Sequence, residues 1–254
     1  MALLPRLTFL GHSTVLVELE GLRILTDPVL FDRVTVLRRV AIPLDPALYA
    51  GIDAVVVSHL HLDHFDVASL RLLGPGVEMV VPHGAAALLR RSGFQAVREL
   101  APGQTTWLGG VAITATRAAH GGYRPPFGPR AAAVGYVIAG ARTRVYFAGD
   151  TDLFPEMAEL GPELDVALLP VWGWGPTLGP GHLDPARAAA ALRLLRPRFA
   201  VPIHWGTLWP FGLGRVRPGL LTRPPLEFAA RAAVAHPAGR VLLTEPGRPV
   251  SLPA

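Results

Sequence analysis

The segment Asp53–His64 constrains this chain more than any other part of the sequence. It opens with Asp-Ala-Val-Val-Val-Ser, a short apolar run typical of a buried strand. The run stops abruptly in Ser-His-Leu-His-Leu-Asp-His, which places four side chains able to bind a metal within six residues. A loop that follows a buried strand can turn all four toward one place, so we expect a metal site to begin here.

The spacing of these four side chains predicts two metal positions. His59 and His61 point the same way if the backbone stays extended, because side chains alternate along a strand. Asp63 and His64 need a turn, which lets them reach a second point roughly 3.5–4 Å away, the separation found in two-metal sites. Four side chains cannot saturate two ions, so further ligands are expected after later strands. Three candidates stand at such positions: His120, Asp150 and His204.

The absence of cysteine narrows the chemistry of any such site. None of the 254 residues is a cysteine, which excludes disulfides, thiol nucleophiles and thiolate ligands, so a metal must be held by histidine and carboxylate. Half of the residues are apolar, which is enough to form a folded core. No apolar run approaches the ~20 residues that cross a bilayer, and the first ten residues do not resemble a signal peptide. We therefore expect no transmembrane segment and a cytoplasmic location.

The charge balance leaves one alternative function open. The net charge is +5, the isoelectric point is about 10.6, and all 24 basic residues are arginine. A basic chain raises the possibility of a nuclease. However, no run of five or six basic residues occurs, so no nucleic-acid partner is expected.

Hydrophobic patterns predict an α/β protein with two sheets. Strands are predicted over residues 7–10, 14–19, 22–26, 53–58, 77–82, 107–116, 133–138, 143–147, 165–171, 199–203 and 240–244. Helices are predicted over residues 66–73, 84–92, 154–160, 185–195 and 225–235. The early strands follow one another and the later ones alternate with helices, which favours two packed sheets with helices outside them. Residues 1–254 are expected to form a single domain.

Five motifs, in order along nearly the whole chain, resemble those of the metallo-β-lactamase superfamily of hydrolases. They are Leu-Thr-Asp27-Pro, the His59–His64 segment, Ala-His120-Gly-Gly, Gly-Asp150-Thr and His204. The resemblance implies a four-layer αββα sandwich with two mixed β-sheets and external helices. It also implies that His59, His61 and His120 hold one ion, that Asp63, His64 and His204 hold the other, and that Asp150 bridges the two. Asp27 would brace the ligand loop through hydrogen bonds.

Three further strings narrow the resemblance: Gly-His12-Ser-Thr, His182-Leu-Asp-Pro and Ile-His204-Trp-Gly-Thr. They resemble the group that contains N-acyl-phosphatidylethanolamine-hydrolysing phospholipase D and the L-ascorbate 6-phosphate lactonase-like proteins. The implied activity is hydrolysis of a phosphodiester, or of a lactone or other ester, in a small or lipid-like substrate. The expected cofactor is two divalent ions, zinc first, with manganese or iron as alternatives. An iron-dependent redox enzyme is a further alternative, against which His61 argues because di-iron relatives usually carry glutamate there.

Two ions would also set the mechanism. They would lower the pKa of a bridging water, which would attack as hydroxide without any serine or cysteine nucleophile. Asp63 is the candidate to orient that water and pass protons. His182 would hydrogen-bond the developing oxyanion or protonate the leaving group, or else cap a helix. His12 would lie next to the ligands, or else be a buried strand histidine.

Aromatic residues cluster in loops beside His182 and His204 and in the loop after His120. The candidate substrate contacts are Tyr123, Trp172, Trp174, Trp205 and Trp209. Together they would line an apolar pocket, with Arg124 as a clamp for a phosphate or carboxylate. The same residues would equally suit the interface of a homo-oligomer.

Overall fold

The computed structural model describes residues 5–126, 128–161, 163–175, 177–211 and 219–252. Its strands are β1 (Arg6–Gly11), β2 (Thr14–Leu19), β3 (Leu22–Thr26), β4 (Arg33–Val34), β5 (Leu37–Arg39), β6 (Ala54–Val56), β7 (Glu78–Pro82), β8 (Val97–Leu100), β9 (Thr105–Leu108), β10 (Val111–Arg117), β11 (Val134–Ala139), β12 (Arg144–Phe147), β13 (Val166–Pro170), β14 (Phe199–Ile203), β15 (Leu208–Pro210), β16 (Arg240–Val241) and β17 (Pro249–Ser251). Its α-helices are α1 (Val67–Leu73), α2 (Ala86–Arg91), α3 (Met157–Leu160), α4 (Pro185–Leu195) and α5 (Gly219–Ala235), and a short 3-10 helix covers Pro46–Tyr49.

The strands form two large mixed sheets and one small sheet. The first large sheet has the order β17-β1-β2-β3-β6-β7-β8, and the second has the order β16-β14-β13-β12-β11-β10-β9. In both sheets an antiparallel part continues into parallel strands. The strands of the small antiparallel sheet β15-β5-β4 pair with one another and with neither of the large sheets.

The buried residues show that the protein has four layers. One apolar cluster contains Phe9 and Val17 of the first sheet together with Ile113 and Tyr136 of the second, so the two sheets pack face to face. A second cluster lies between the second sheet and α3, α4 and α5. A third lies between the first sheet and α1 and α2. This helix–sheet–sheet–helix order confirms the predicted αββα sandwich.

Local sequence signals place several elements where they were predicted. The turn between β2 and β3 is Glu20-Gly21, and both residues have positive φ, 51° and 80°, as a two-residue hairpin turn requires. The side chain of Asp66 accepts the Ser69 N–H at the start of α1. Asp184 caps α4 in the same way, just before Pro185.

Other boundaries were predicted wrongly. Helix α5 begins at Gly219, six residues before the predicted start at Pro225, since the preference of proline for first helical turns misplaced that start. Pro224 and Pro225 are buried inside the helix, where neither has a backbone N–H to donate. The strand predicted over residues 240–244 covers only Arg240–Val241. Strand β8 and the small sheet were not predicted, because two to four residues are too few to show a period.

The topology brings the ligand-bearing loops to one edge of the sandwich. Strand β3 runs parallel to β6, and β12 runs parallel to β13 and β14. Strand β10 has the direction of β12, because each is antiparallel to β11. The residues that follow these strands therefore meet at a common edge. Among the described residues, no helix combines the length and the apolar character that crossing a bilayer requires.

Candidate metal centre

The loop after β6 contains a turn in which two backbone N–H groups share one carbonyl acceptor. The backbone N–H groups of His64 and Phe65 donate to the oxygen of His61 at 3.1 and 2.8 Å. This turn separates His59 and His61 from Asp63 and His64. The loop therefore has the two-part form that the residue spacing predicted.

Three histidines converge at the first of two positions. The distance from His59 Nε2 to His61 Nδ1 is 3.0 Å, and that from His120 Nε2 to His61 Nδ1 is 3.1 Å. We call these residues the imidazole triad. Nitrogens bound to one tetrahedral zinc lie about 3.3 Å apart, since each Zn–N bond is about 2.0–2.1 Å. The triad is therefore already close to the spacing that one ion needs.

Asp63, His64 and His204 form the second position, which we call the carboxylate triad. The Nε2 atoms of His64 and His204 are 3.0 Å apart, and Asp63 Oδ2 lies 3.9 Å from His64 Nε2. All three have little exposure, and His64 is fully buried. Asp63 comes from the ligand loop and His204 from the end of β14, so this group joins the two sheets.

Asp150 lies between the two triads. Its Oδ2 is 3.2 Å from His64 Nε2 and 4.0 Å from His59 Nε2, and its Oδ1 is 3.2 Å from His204 Nε2. The carboxylate follows β12 and is 3% exposed. Asp150 therefore lies within 4.0 Å of members of both groups, as a bridging role requires.

Asp27 stands behind the ligands and holds them through hydrogen bonds. It accepts the backbone N–H of Ser58 and the Nδ1–H of His64, each at 2.7 Å, as well as the Ser58 hydroxyl. That hydroxyl in turn accepts the Nδ1–H of His59 at 2.9 Å. Burial raises the pKa of Asp27, while the hydrogen bonds from His64 and Ser58 oppose the rise. One carboxylate thus orients a member of each triad.

His12 joins the carboxylate triad from the turn between β1 and β2. Its Nε2–H donates to Asp63 Oδ2 at 3.1 Å, and its ring centroid is 3.9 Å from that of His204. The backbones interlock as well: His204 N–H donates to the His12 oxygen at 2.6 Å, and His12 N–H donates to Thr207 Oγ1 at 2.8 Å. The structure therefore places His12 beside the candidate ligands, where its side chain is buried.

The hydrogen bonds decide which nitrogen of each ring faces inward. Four rings donate Nδ1–H outward, to Ser58, Asp27, Gly181 and Trp172, and so turn Nε2 toward the centre; these rings are His59, His64, His120 and His204. Asp150 Oδ1 is buried without a hydrogen-bond donor. These ring nitrogens and the Asp150 carboxylate thus converge within about 3 Å of one another, held by outward hydrogen bonds of the kind that orient metal-binding histidines. Imidazole nitrogen and carboxylate oxygen suit zinc, manganese or iron, so the residues present fit divalent metal ions.

Burial keeps most of these rings neutral. It lowers the pKa of His61 and His120, lowers that of His59 well below the usual value, and lowers that of His204 to about 3. His64 differs: burial opposes its charge, but Asp150 and Asp63 outweigh burial and raise its pKa well above the usual range.

Both carboxylates of the centre stay ionised in spite of their burial. Burial alone would raise the pKa of Asp63, but His64 and His12 hold it well below its usual range. The same holds for Asp150, whose pKa is held low chiefly by His204 and His64. The carboxylate triad therefore pairs an ionised carboxylate with a histidine that favours its charged form, whereas the imidazole triad contains no charged side chain.

His182 lies at the entrance to the centre. Its Nε2 is 3.4 Å from Asp150 Oδ2, and its side chain is 24% exposed. Burial opposes its charge, yet the hydrogen bond to Asp150 and the charge of that residue raise the pKa of His182. The cap of α4 is Asp184, so the structure does not support the helix-capping alternative for His182.

A cavity of about 450 Å³ opens onto these residues. Its polar side is formed by five members of the centre: His61, Asp63, Asp150, His182 and His204. Its apolar side includes Val36, Leu37, Leu62, Trp174 and Leu178. The hairpin between β4 and β5 supplies Thr35 to Leu37, which sequence reasoning missed because a two-residue strand leaves no recognisable pattern.

The structure places the predicted aromatic contacts in different environments. Trp174 lines the cavity, and its Nε1–H donates to Asp63 Oδ2 at 2.8 Å. The backbone oxygen of Trp172 accepts the His204 ring proton. Trp205 stacks on Phe9 at 5.8 Å and Trp209 is 3% exposed in β15, so both belong to the packed interior.

Tyr123 and Arg124 are bonded to backbone rather than directed at the cavity. The Tyr123 hydroxyl donates to the oxygen of Pro126. Arg124 Nη1 donates to the oxygens of Leu60 and Phe65. The clamp role predicted for Arg124 is therefore not what its contacts favour.

Known proteins are similar to this chain over the part that carries the candidate metal centre. A family model described as "Beta-lactamase superfamily domain" covers residues 22–205, from β3 to just past His204. A "UPF0173 metal-dependent hydrolase" of Thermofilum pendens is 36% identical over 214 residues, 80% of this chain and 85% of the relative. "N-acyl-phosphatidylethanolamine-hydrolyzing phospholipase D 1" of Caenorhabditis elegans is 33% identical over 232 residues, 81% of this chain and 64% of the relative. The solved structure of Igni18, "a novel metallo hydrolase" from Ignicoccus hospitalis, superposes with a TM-score of 0.78 at 28% identity, covering 99% of this chain and 100% of that one.

Proposed function

The chain belongs to the metallo-β-lactamase superfamily of metal-dependent hydrolases, and from this premise we propose that it is a binuclear enzyme that cleaves a phosphodiester or a lactone or other ester. One observation carries the proposal. Inward-facing nitrogens and carboxylate oxygens converge at two adjoining positions, with Asp150 in contact with both.

Each group of side chains has a binding role. His59, His61 and His120 would hold one cation, Asp63, His64 and His204 the other, and Asp150 would contact both. Bound there, two divalent cations would make a water molecule more acidic and neutralise negative charge that develops on the substrate. We propose zinc, since imidazole-rich sites with few carboxylates suit it well.

Asp63 is our candidate to orient the attacking water. Its Oδ2 accepts two hydrogen bonds, from His12 Nε2–H at 3.1 Å and from Trp174 Nε1–H at 2.8 Å. These bonds hold the carboxylate in one orientation at the cavity wall. Because the pKa of Asp63 is held low, the group is ionised and can accept a hydrogen bond from the attacking water.

His182 is our candidate to protonate the leaving group. It lines the cavity and has contact with solvent, so it can regain a proton after each turnover. Burial opposes the charge of the ring, but the hydrogen bond to Asp150 and the charge of that residue raise the pKa of His182 and so favour a proton on Nε2. An acid needs such a proton available at the working pH.

The shape of the cavity favours a substrate with an apolar part. The hydrolysable group would lie on the polar side, and the apolar part would extend along Val36, Leu62 and Trp174. The similarity to the nematode phospholipase D supports a phosphodiester with a lipid-like portion, while the cavity itself is equally compatible with a lactone.

Metal content is the first test of this proposal. The protein would be purified without chelator and its transition metals measured per chain, with about two zinc or manganese ions expected. The metal-loaded protein would then be assayed on an aryl phosphodiester and on a long-chain lactone, with chelator-treated protein as the control. One or two iron ions would favour the redox alternative. No metal after reconstitution would contradict the proposal.

A further inference from the structure

Arg124 contacts both ends of the ligand loop. Its Nη1 donates to the backbone oxygen of Leu60 at 2.8 Å and to that of Phe65 at 3.0 Å. Its guanidinium carbon also lies 5.1 Å from the centre of the Phe65 ring. One planar group thus fixes two carbonyls and packs on an aromatic face, a combination that suits arginine better than lysine.

Three candidate ligands lie between those two carbonyls. His61, Asp63 and His64 all belong to the segment that begins at Leu60 and ends at Phe65. Leu60 and Phe65 are fully buried, so their side chains anchor the two ends of the segment in the core. Inside the segment, the described backbone hydrogen bonds are the two that converge on the His61 oxygen. The contacts from Arg124 add an external tie that holds the ends together.

The loop that carries Arg124 is itself firmly held. The backbone N–H of Arg124 donates to the backbone oxygen of Pro129 at 3.2 Å. The backbone oxygen of Arg124 accepts the N–H of Gly128 at 2.8 Å. Ala131 N–H donates to Gly122 at 3.0 Å, and a side chain at Gly122 would lie only 1.6 Å from the Ala131 oxygen. His120 precedes this loop by two residues. The guanidinium therefore joins the segment with three ligands to the segment with a fourth.

We propose that Arg124 is a positioning residue of the metal centre, which holds the Leu60–Phe65 segment in the geometry that binds metal. The assignment rests on the proposed function, since it presupposes that the triads bind cations. It differs from a substrate clamp, because both contacts of Nη1 are made to backbone and Arg124 is absent from the described residues that line the cavity. Groups that orient metal ligands typically change metal affinity about 10- to 100-fold when they are replaced.

The test measures metal affinity without any substrate. Apo protein would compete with a chromophoric chelator for Zn²⁺, and the visible spectrum of Co²⁺-loaded protein would report ligand geometry. Arg124→Gln is expected to weaken zinc binding about 10- to 100-fold and to alter the cobalt spectrum. Arg124→Lys should recover part of the affinity, because an ammonium group still donates to carbonyls.

Arg130→Gln is the matched control. Arg130 lies on the same loop and stacks on Tyr123 at 5.1 Å, so the variant loses the same charge and a similar ring contact without touching the ligand loop. Its zinc affinity and activity are expected to equal those of the wild type. Circular dichroism of the apo proteins would establish that each variant is folded, and if Arg124→Gln is not, the comparison of Arg124→Lys with the wild type carries the test.

Two results would overturn the assignment. Wild-type zinc affinity in Arg124→Gln, with a higher KM only for anionic substrates, would identify a substrate clamp instead. Equal losses in the Arg124 and Arg130 variants would identify a general effect of loop charge. A wild-type protein that takes up no cation would contradict the proposed function itself, and that failure is visible before any variant is made.

Discussion

The two triads of the candidate centre differ in charge and in what holds them. The imidazole triad consists of three rings whose pKa values are lowered by burial, and His61 and His120 are only partly buried. The carboxylate triad contains an ionised Asp63 and two buried histidines, of which His64 has a raised pKa. One position therefore contains no charged side chain, whereas the other pairs an ionised carboxylate with a histidine that favours its charged form.

The hydrogen-bond partners that hold the two triads in place also differ. Outside the triad, the described hydrogen bonds of the imidazole rings are to the Ser58 hydroxyl and to the backbone oxygen of Gly181. The carboxylate triad is held by a set of side chains and one carbonyl: His12, Asp27, Trp174 and the oxygen of Trp172. We infer that the first position depends mainly on the course of the backbone. The second depends on its neighbours, so substitutions around it should have the larger effects.

Asp150→Asn would remove the one group that contacts both triads, and it has the largest expected effect. Asparagine keeps the size of the side chain but loses the charge that both positions share, so metal content should fall from about two ions per chain to about one. Activity should fall roughly 10³-fold, the loss typical of removing a group that stabilises transition-state charge. Metal analysis and kcat would be compared with Asp45→Asn, which alters an exposed carboxylate that belongs neither to the centre nor to the cavity lining. Two ions and normal turnover in Asp150→Asn would contradict the bridging role.

His12→Phe is expected to weaken metal binding at the carboxylate triad and to leave binding at the imidazole triad unchanged. Phenylalanine keeps an aromatic ring against His204 but cannot donate to Asp63, so the second ion should bind about 10- to 100-fold more weakly while the first is unaffected. Stepwise zinc titration against a chelator would resolve the two events. His83→Phe is the control, since that histidine is 76% exposed and lies outside both triads. Equal weakening of both ions would mean that His12 supports the fold rather than one position.

The sequence predicted the parts of this centre that depend on neighbouring residues in the chain. The turn inside His59–His64 and the helices predicted over residues 66–73 and 185–195 follow from local rules, and all are present. The meeting of loops at one sheet edge follows from parallel strand direction.

The remaining features depend on contacts between distant segments. Arg124 reaches Phe65 across 59 positions and Trp174 reaches Asp63 across 111, and no local pattern encodes such pairs. Trp205 and Trp209 stand in a loop-like sequence next to His204, but one stacks on the core and the other is buried in a three-residue strand. Their side-chain size alone could not distinguish a cavity wall from interior packing.

The pH dependence of metal binding should also separate the triads. In the apo protein His64 holds a proton at neutral pH because its pKa is raised, whereas the pKa values of the imidazole triad are lowered and its rings are already neutral. Binding at the carboxylate triad should release about one proton, so its affinity should rise about tenfold per pH unit until the pH passes the pKa of His64. Binding at the imidazole triad should change little above about pH 6.5. Zinc titrations with a pH indicator at two pH values would check this, and the same slope for both ions would contradict it.

Trp174→Phe has the smallest expected effect and separates two roles of one side chain. Phenylalanine keeps an aromatic wall on the cavity but cannot donate to Asp63 Oδ2, which still accepts the proton of His12. A hydrogen bond of this kind contributes about 0.5–1.5 kcal/mol, so the second ion should bind about 2- to 10-fold more weakly and the first should not change. Trp174→Ala loses the wall as well, and it should in addition raise KM for substrates with an apolar part. If both variants bind metal like the wild type and differ only in KM, Trp174 serves the substrate alone, and the carboxylate triad depends on fewer neighbours than its contacts indicate.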